Sequence, residues 1–448
     1  MIDANGIAAA LRLPCIVSGA MQDAIVLWES MYRNEAGWHK HRVRSLRIPS
    51  LVCKEIKRLT LKEFEAKVSE GAVDAAFQQM LPKLRRSLDY GLAMGGILFK
   101  PYWAAGGLQM DLVTQNQFLP ISYTDDQCTA AACPETVTIG KTSYTRIEIH
   151  TFDPVQHTHT IENRCFSSND PAFLGKECAL SEVPAWAGIL PRKVYPDVSQ
   201  PLFSVMTVPD SNTVDPGSPL GISVFADAVD DVRDADVHWE RILWELESSE
   251  RAIDASEDLF RYKDGVPVLP KGRERMFRTF STNPNQSSGI FETFSPEIRD
   301  ASYFNAFNEM LRRVENGCGL SYGTLSRVDT TDKTAEEILS SKQRSFDRVH
   351  DIQQALGSAL DQAVYAMQYL QGYYTNRHPD AQLTCTFGDG VFENTEKEFL
   401  RRMQMVTAGM LSKVQFLMWY FDCTEDEARQ KLPDSEGLFH DGAPSLLS

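Results

Sequence analysis

The chain has no paired-cysteine pattern. Its nine cysteines, Cys15, Cys53, Cys128, Cys133, Cys165, Cys178, Cys318, Cys385 and Cys423, are scattered singly, with an odd count and no CxxC. That argues against a disulfide framework or a structural zinc, and for a reducing compartment. Long apolar runs are also missing. The longest, such as Val414 to Phe421, are too short and too interrupted to span a bilayer. The opening MIDANGIAAALRLPC has neither a basic n-region nor a long apolar core, so a soluble intracellular product is expected. Positive charge is in deficit, with a net charge of −16. A protein that grips nucleic acid through its phosphates would usually be basic, although an acidic chain is able to handle DNA that it must not stick to. Catalytic signatures are absent as well: there is no GxSxG, HExxH, DFG or EF-hand pattern. ETVTIGKT at 135–142 resembles the tail of a P-loop, but Glu135 stands where the first Gly is required. SYTRIEIHTF after it alternates as a strand instead of opening a helix. Gly95 and Gly96 precede a strand too, so neither site reads as a phosphate cradle. No catalytic residue, metal ligand or cofactor is expected.

What is present is a folded chain of 448 residues, 43% hydrophobic and 24% charged, long enough for two to four domains or one elongated molecule. Residues 1–35 are helical in pattern, with Ala24, Ile25, Leu27, Trp28, Met31 and Tyr32 forming a stripe. Lys40, Arg42 and Arg44 then alternate as in an exposed strand or extended arm: a solvated face, or a contact with an acidic partner or a phosphate backbone. Asp74 to Gly91 reads as a helix. Around AAGG at 104–107 the alternation predicts a hairpin, and residues 121–210 continue β-rich. His157 and His159, two apart, would share a strand face; without an acidic or cysteine partner in register they are expected to face solvent rather than a metal.

SPLGISVFADAVDDVRDADVHWERILWELESSERA (218–252) is the most regular helical stretch. Ser218 serves as N-cap and Pro219 stands in the first turn. Val224, Ala228, Val232, Ala235, Trp239, Ile242 and Leu246 make its apolar side. Asp227, Asp230, Asp231 and Asp234 fall at i, i+3, i+4 and i+7 on another face, read as solvated or channel-facing, with a metal site as the sharper alternative. Residues 253–295 form a turn-rich insertion with Lys263, Lys271, Arg273, Arg275 and Arg278, either an ordinary β-excursion or a docking surface for a protein or DNA. From Asp300, residues Tyr303, Phe304, Phe307, Met310, Leu311 and Val314 stripe a helix that Gly317 or Gly319 stops. A long helix starts at Thr334, with Glu336 and Glu337 in its first turn. QLTCTFGDGVF reads as a strand and turn. A final helical region follows, broken at Gly409 and restarting at Thr424, with a loosely ordered tail.

The order of these segments resembles the portal protein of tailed bacteriophages, in the branch found in many long-tailed siphoviruses. The residues that carry the resemblance are AIVLWESMY with Trp38, GGILFKPYW followed by NQFLPISY, GISVFADAVDDVRDAD followed by WELE, and FSPEIRDASYFNAFNEMLRRVENGCGLSYGTLS…KTAEEILSSKQRSFDRVHDIQQAL. The resemblance covers nearly the whole chain. It implies an α+β portal fold with a β-rich wing (1–217 and 334–392), a stem pair (218–250 and 297–316) and a small clip (251–296). It further implies a channel loop (317–333), with 334–392 including a long wing helix, and a short helical crown (393–448). It implies a ring, typically of twelve subunits, at one capsid vertex of the virion, assembled in the host cytoplasm. Its partners would be its own copies, double-stranded DNA passing without sequence specificity, the large terminase subunit, major capsid and scaffolding proteins, and a head-completion or neck protein, with no membrane. Leu320, Ser321, Tyr322, Thr324 and Leu325 would lie near the bore, with Lys333 at the loop exit. The basic residues of 251–296 would dock the motor or neck, and Asp227, Asp230, Asp231 and Asp234 would form an acidic stem face. The glycines of the loop would let it move as DNA passes. Two other classes compete: a metal-dependent nuclease built on the four aspartates, and a helical scaffold or adaptor.

Overall fold

The computed structural model describes residues 4–13, 15–125, 127–250, 252–256, 261–263, 266–268, 277–280, 291–295, 297–327, 335–377, 380–388, 395–421 and 425–430. It divides into two compact units, Met1–Phe387 and Gly388–Ser448. Helix and sheet are mixed, as the α+β reading expects.

The first unit opens with helices α1 (Ala4–Leu11), α2 (Gly19–Tyr32) and α3 (Ile48–Thr60). Ser18 Oγ caps α2 by accepting from the Met21 amide. The basic run between α2 and α3 is not a strand; residues 40–44 form an irregular arm with His41 at positive φ. After β1 (Glu65–Val68) comes α4 (Gly71–Met94). Its Phe77, Leu84, Leu88 and Leu92 are fully buried at helical spacing, and each such side chain contributes about 1.5–3 kcal/mol when removed from water. Strands β2 (Gly96–Ala104) and β3 (Gly107–Thr114) form the expected hairpin, closing at Ala104 opposite Gly107.

The polar-to-apolar alternation that follows builds β4 (Leu119–Thr124), β5 (Gln127–Ile139), β6 (Thr142–Asp153), β7 (Thr158–Ser168), β8 (Lys176–Cys178) and β9 (Arg192–Tyr195). They pair in the order β4-β5-β6-β7-β8, and β9 also joins β7. Ile139 lies opposite Thr142, so Gly140 and Lys141 turn a hairpin, and the GKT sequence leads into a strand. Strand β10 (Ser204–Thr207) pairs with β2.

Residues 218–250 differ from expectation. Ser218 to Phe225 is not helical; a 3-10 turn at Ala226–Ala228 leads into α5 (Val229–Ser248), which has no side-chain N-cap. The reason lies in a crossing of main chains. Gly95, with φ +92°, ends α4, and a Cβ there would lie 2.3 Å from the Gly221 carbonyl oxygen; a Cβ on Gly221 would lie 2.1 Å from that of Gly95. The Val224 amide donates to the Leu92 carbonyl at 3.1 Å, and Gln115 Nε2 donates to the Gly221 carbonyl at 2.8 Å. The segment is thus held extended against the end of α4, and the helix starts only after it.

Beyond α5 come β11 (Ala252–Ser256), β12 (Arg261–Lys263), β13 (Val266–Val268), β14 (Phe277–Phe280) and β15 (Phe291–Phe294). Strand β11 is central, parallel to β14 and antiparallel to β15, and β12 pairs with β13. Helix α6 (Asp300–Gly317) and the 41-residue α7 (Ala335–Thr375) follow. Ile352, Leu356, Ala359, Leu360, Ala363, Val364, Met367 and Leu370 are buried on one side of α7, which packs on β2, β10, α3 and α4. Strand β16 (Leu383–Thr386) then pairs antiparallel with β1.

The second unit contains α8 (Thr395–Thr407), α9 (Lys413–Phe421) and α10 (Glu425–Gln430). Gly409, at positive φ, separates α8 from α9 as expected. Phe399, Phe416, Trp419 and Tyr420 cluster there, with the Arg402 guanidinium 4.4 Å from the Trp419 ring centre. The tail expected to be loosely ordered lies outside the described residues.

Candidate functional site

Helices α5 and α6 run antiparallel, since contacts that climb α5 descend α6. The Ala228 end meets Gly317, where an added Cβ would stand 3.1 Å from Ala228 Cβ. Asp231 pairs with Arg313 at 2.9 Å. His238 stacks on Phe307 with ring centres 6.3 Å apart, and Trp239 packs on the same ring at 5.4 Å. At the far end Arg299 grips Glu245 in two bonds of 3.1 and 2.8 Å. These Arg299 hydrogen bonds hold the Glu245 carboxyl below its ordinary range. Val232, Ala235 and Ile242 of the expected apolar side are buried, whereas Leu246 is exposed. Leu243 and Trp244 beside it are exposed too.

The four aspartates do not form one face. Asp227 sits in the 3-10 turn and accepts from the Thr213 hydroxyl at 2.9 Å. Asp231 turns toward α6 and Arg313. Asp230 and Asp234 point outward and share Arg233, at 2.9 and 3.3 Å. Asp227 precedes the helix, and Arg313 engages Asp231 on the side toward α6. Among the described residues no three His, Cys, Asp or Glu side chains are grouped as a metal would require.

The next aspartate, Asp236, was not singled out by pattern and is 2% exposed. It accepts from Trp38 Nε1 at 3.0 Å and from the Leu46 amide at 2.7 Å, and lies 2.8 Å from His39 Nε2. Arg42 adds an ion pair to Glu247 at 3.0 Å. Of the two expectations, strand or extended arm, the arm is what forms, and these side chains tie it down along α5.

The loop after α6 is built on a buried carboxylate. Gly319, at φ +66°, ends the helix, with the Leu320 amide donating to the Glu315 carbonyl at 2.8 Å and the Gly319 amide to that of Asn316 at 3.2 Å. The Glu315 side chain is 0% exposed. It accepts from the amides of Leu325 (2.5 Å) and Ser326 (2.8 Å) and from the Ser326 hydroxyl (2.7 Å). The Ser321 amide donates to Ser345 Oγ of α7 at 2.7 Å, and the Ser345 amide returns a bond to Ser321 Oγ. Arg344 reaches Asn316, and Arg348 reaches Asp210.

Residues 318–327 are thus anchored to α6 and α7; the rest of the expected channel loop, 328–333, lies outside the described residues. Leu320 and Ser321 are buried inside the subunit because they plug the α6–α7 junction. Tyr322 and Thr324 are exposed, and Leu325 is half-buried. Lys333 lies outside the described residues, as do Lys271, Arg273 and Arg275. Lys263 is exposed on β12, and Arg278 lies on β14 opposite Asp254.

A second polar assembly lies where the six-stranded sheet meets the β10-β2-β3 sheet. His159, expected to face solvent, is 0% exposed, and His157 sits in the preceding turn at positive φ. The strand face that carries His159 is covered by Phe203. The Leu202 amide donates to His159 Nδ1 (3.3 Å), and His159 Nε2 lies 3.1 Å from His150 Nδ1. His150 Nε2 lies 2.9 Å from Glu148 Oε1. The Leu202 donor at one end makes His159 accept at Nδ1, which leaves its Nε2 to donate toward His150. Glu148 also receives Lys100 Nζ at 2.7 Å and Arg146 at 3.0 Å. Burial alone would raise the Glu148 carboxyl, but the His150 hydrogen bond and the Lys100 charge hold it well below the usual carboxylate range. Burial, with His150 close by, pushes His159 far down. No sequence spacing announces this chain, whose members come from β2, β6, β7 and the approach to β10.

No helix among the described residues is long and apolar enough to cross a membrane. No family model matches the chain, and no curated protein matches it.

Proposed function

We propose that the chain is the repeating subunit of a tailed-phage portal ring: a conduit for DNA packaging and ejection, a dock for the terminase motor and then the neck, and a nucleator of capsid assembly. One observation carries the reading. An antiparallel helix pair, α5 and α6, brackets a small β module, and residues 318–327 after α6 are anchored ahead of a 41-residue helix that packs back on the first sheets. That order is the one the sequence resemblance implies for stem, clip, stem, channel loop and wing. Exposed Leu243, Trp244 and Leu246 add support, since a neighbouring copy in a closed ring would cover them. Outward-facing Asp230 and Asp234, repeated around an axis, would keep phosphates from settling on the wall, because lasting contact comes from cations that release counterions. The test is negative-stain microscopy and light scattering of the purified chain. A closed ring without nucleotide hydrolysis is expected; a monomer at all workable concentrations, or Mg²⁺-dependent DNA cleavage lost in Asp231→Asn, would overturn it.

A further inference from the structure

Two thiols outside the helix pair face each other across a strand edge. Cys165 of β7 and Cys178 of β8 are direct partners in the antiparallel register. Their sulfurs are 3.3 Å apart, with the Cys178 thiol directed at Cys165. Directly opposed residues in an antiparallel pair have Cα separations of about 4.5–5.5 Å, inside the range a disulfide spans. The placement is held from three sides. Arg164 bonds Glu177 twice, each at 2.8 Å, locking the residues just before each cysteine. Gly175, at φ +76°, makes the turn into β8 with no room for a side chain: a Cβ would lie 2.1 Å from the Ser167 carbonyl oxygen. Val183 and Trp186 close a small apolar cluster around Cys165. Cys165 is buried, whereas Cys178 is half-buried and reachable from solvent.

We propose that Cys165 and Cys178 are a reversible oxidation site, which a two-electron oxidant of the peroxide class converts to a disulfide that staples β8 to β7. The accessible Cys178 sulfur attacks a peroxide oxygen, breaking the O–O bond and giving a sulfenic acid and one water. The Cys165 sulfur, losing its proton, then attacks the Cys178 sulfur, forming the S–S bond and expelling hydroxide, which takes that proton to become a second water. Two electrons pass from the sulfurs to the peroxide, and a dithiol reverses the change. Burial, with Cys178 adjacent, pushes the Cys165 thiol up to about 12, so the second step quickens with rising pH. The bridge would close a loop over residues 166–177 and fix an edge strand of only three residues. The pair is chemically competent whatever the chain assembles into.

Trypsin provides the test, because cutting after Arg164, Lys176 and Arg192 places the two cysteines on separate peptides, 165–176 and 177–192. The full chain is reduced with a non-thiol reductant, exposed folded to hydrogen peroxide at mildly alkaline pH, alkylated and digested without reductant. The expected product is the two peptides joined, lighter by two hydrogen atoms than their sum, and separating on reduction, while buried Cys53, Cys128 and Cys318 remain alkylatable on unfolding. Cys178→Ser should abolish the joined species and leave Cys165 a free thiol. Cys178 found as sulfenic or sulfinic acid beside an alkylated Cys165, or joined only to a second copy, would overturn the proposal. So would a joined species that forms only when urea is added before the oxidant.

Discussion

Replacing Glu315 by alanine should undock the loop that follows α6 while leaving the helix pair intact. In the native subunit this fully buried carboxylate receives two main-chain amides and one hydroxyl. The hydroxyl of Ser326 is able to rotate to another acceptor, but the amides of Leu325 and Ser326 are fixed by the backbone. Leaving a buried donor unsatisfied costs about 1–3 kcal/mol; entry of water into the vacated space favours the lower end, so two amides give about 2–3 kcal/mol. At 1.4 kcal/mol per factor of ten, the undocked population rises by about 30–140-fold. Amide hydrogen exchange reads this directly, since local opening sets the exchange rate of protected amides. Leu325 and Ser326 should exchange about 30–140-fold faster in Glu315→Ala, with α5 and the body of α6 unchanged. Glu315→Gln retains one carbonyl oxygen with two lone pairs and should show a smaller acceleration. Unchanged exchange at Leu325 and Ser326, or equal acceleration along both helices, would refute the assignment of Glu315 as the loop's anchor.

Stability should fall on acidification in two stages. His159 is held neutral in the fold, so only the unfolded chain gains its proton, and the urea midpoint should decline as pH drops below about 6.5. Glu148 is depressed by its partners, so its contribution is complete above the ordinary carboxylate range near about 4.3 and is lost as pH falls below it. His159→Gln should flatten the first stage; a midpoint indifferent to pH in the unsubstituted chain would contradict both assignments. Glu148→Gln should cost about 3–5 kcal/mol in equilibrium unfolding by stranding the buried Lys100 ammonium, and adding Lys100→Met should recover part of it. An equal loss in the single and double variants would show that the charge pair is not the cause. Asp230→Lys combined with Asp234→Lys should raise affinity for duplex DNA in anisotropy titrations and steepen its salt dependence, by up to about 0.9 in log–log slope per new phosphate contact. Unchanged binding would place those side chains away from any DNA path.

Local chemistry made much of the fold legible before any coordinates. AAGG closes β2–β3, the alternation of SYTRIEIHTF gives β6, and the stripe ending at Val314 gives α6 with its Gly319 stop. The failures share one cause, in that the deciding partner is distant along the chain. Residues 218–225 carry a good helix pattern, but the touch between Gly95 and Gly221 keeps them extended. Lys40 to Arg44 alternate as a strand or an extended arm would, and Asp236 and Glu247 decide for the arm. His159 looks like half of an exposed pair until Phe203 covers it. Glu315 did leave a trace: a carboxylate in the last turn of a helix opposes the dipole, so its presence there asks for local donors. Asp236 left another, lying between Ala235 and Trp239 on the inward side of α5.

The contact between Gly95 and Gly221 has a mechanical meaning. Where helices meet through side chains, a push is partly absorbed as rotamers shift. Here two main chains touch with nothing between them, and the Val224–Leu92 and Gln115–Gly221 bonds pin the touch on either side. Such a bearing has no slack. Displacement of the segment entering α5 must be taken up by the C-terminal turn of α4 and the first residue of β2, and so by the strands hydrogen-bonded to β2. A force applied to the helix pair is therefore delivered into the sheet at one fixed fulcrum, two glycines wide.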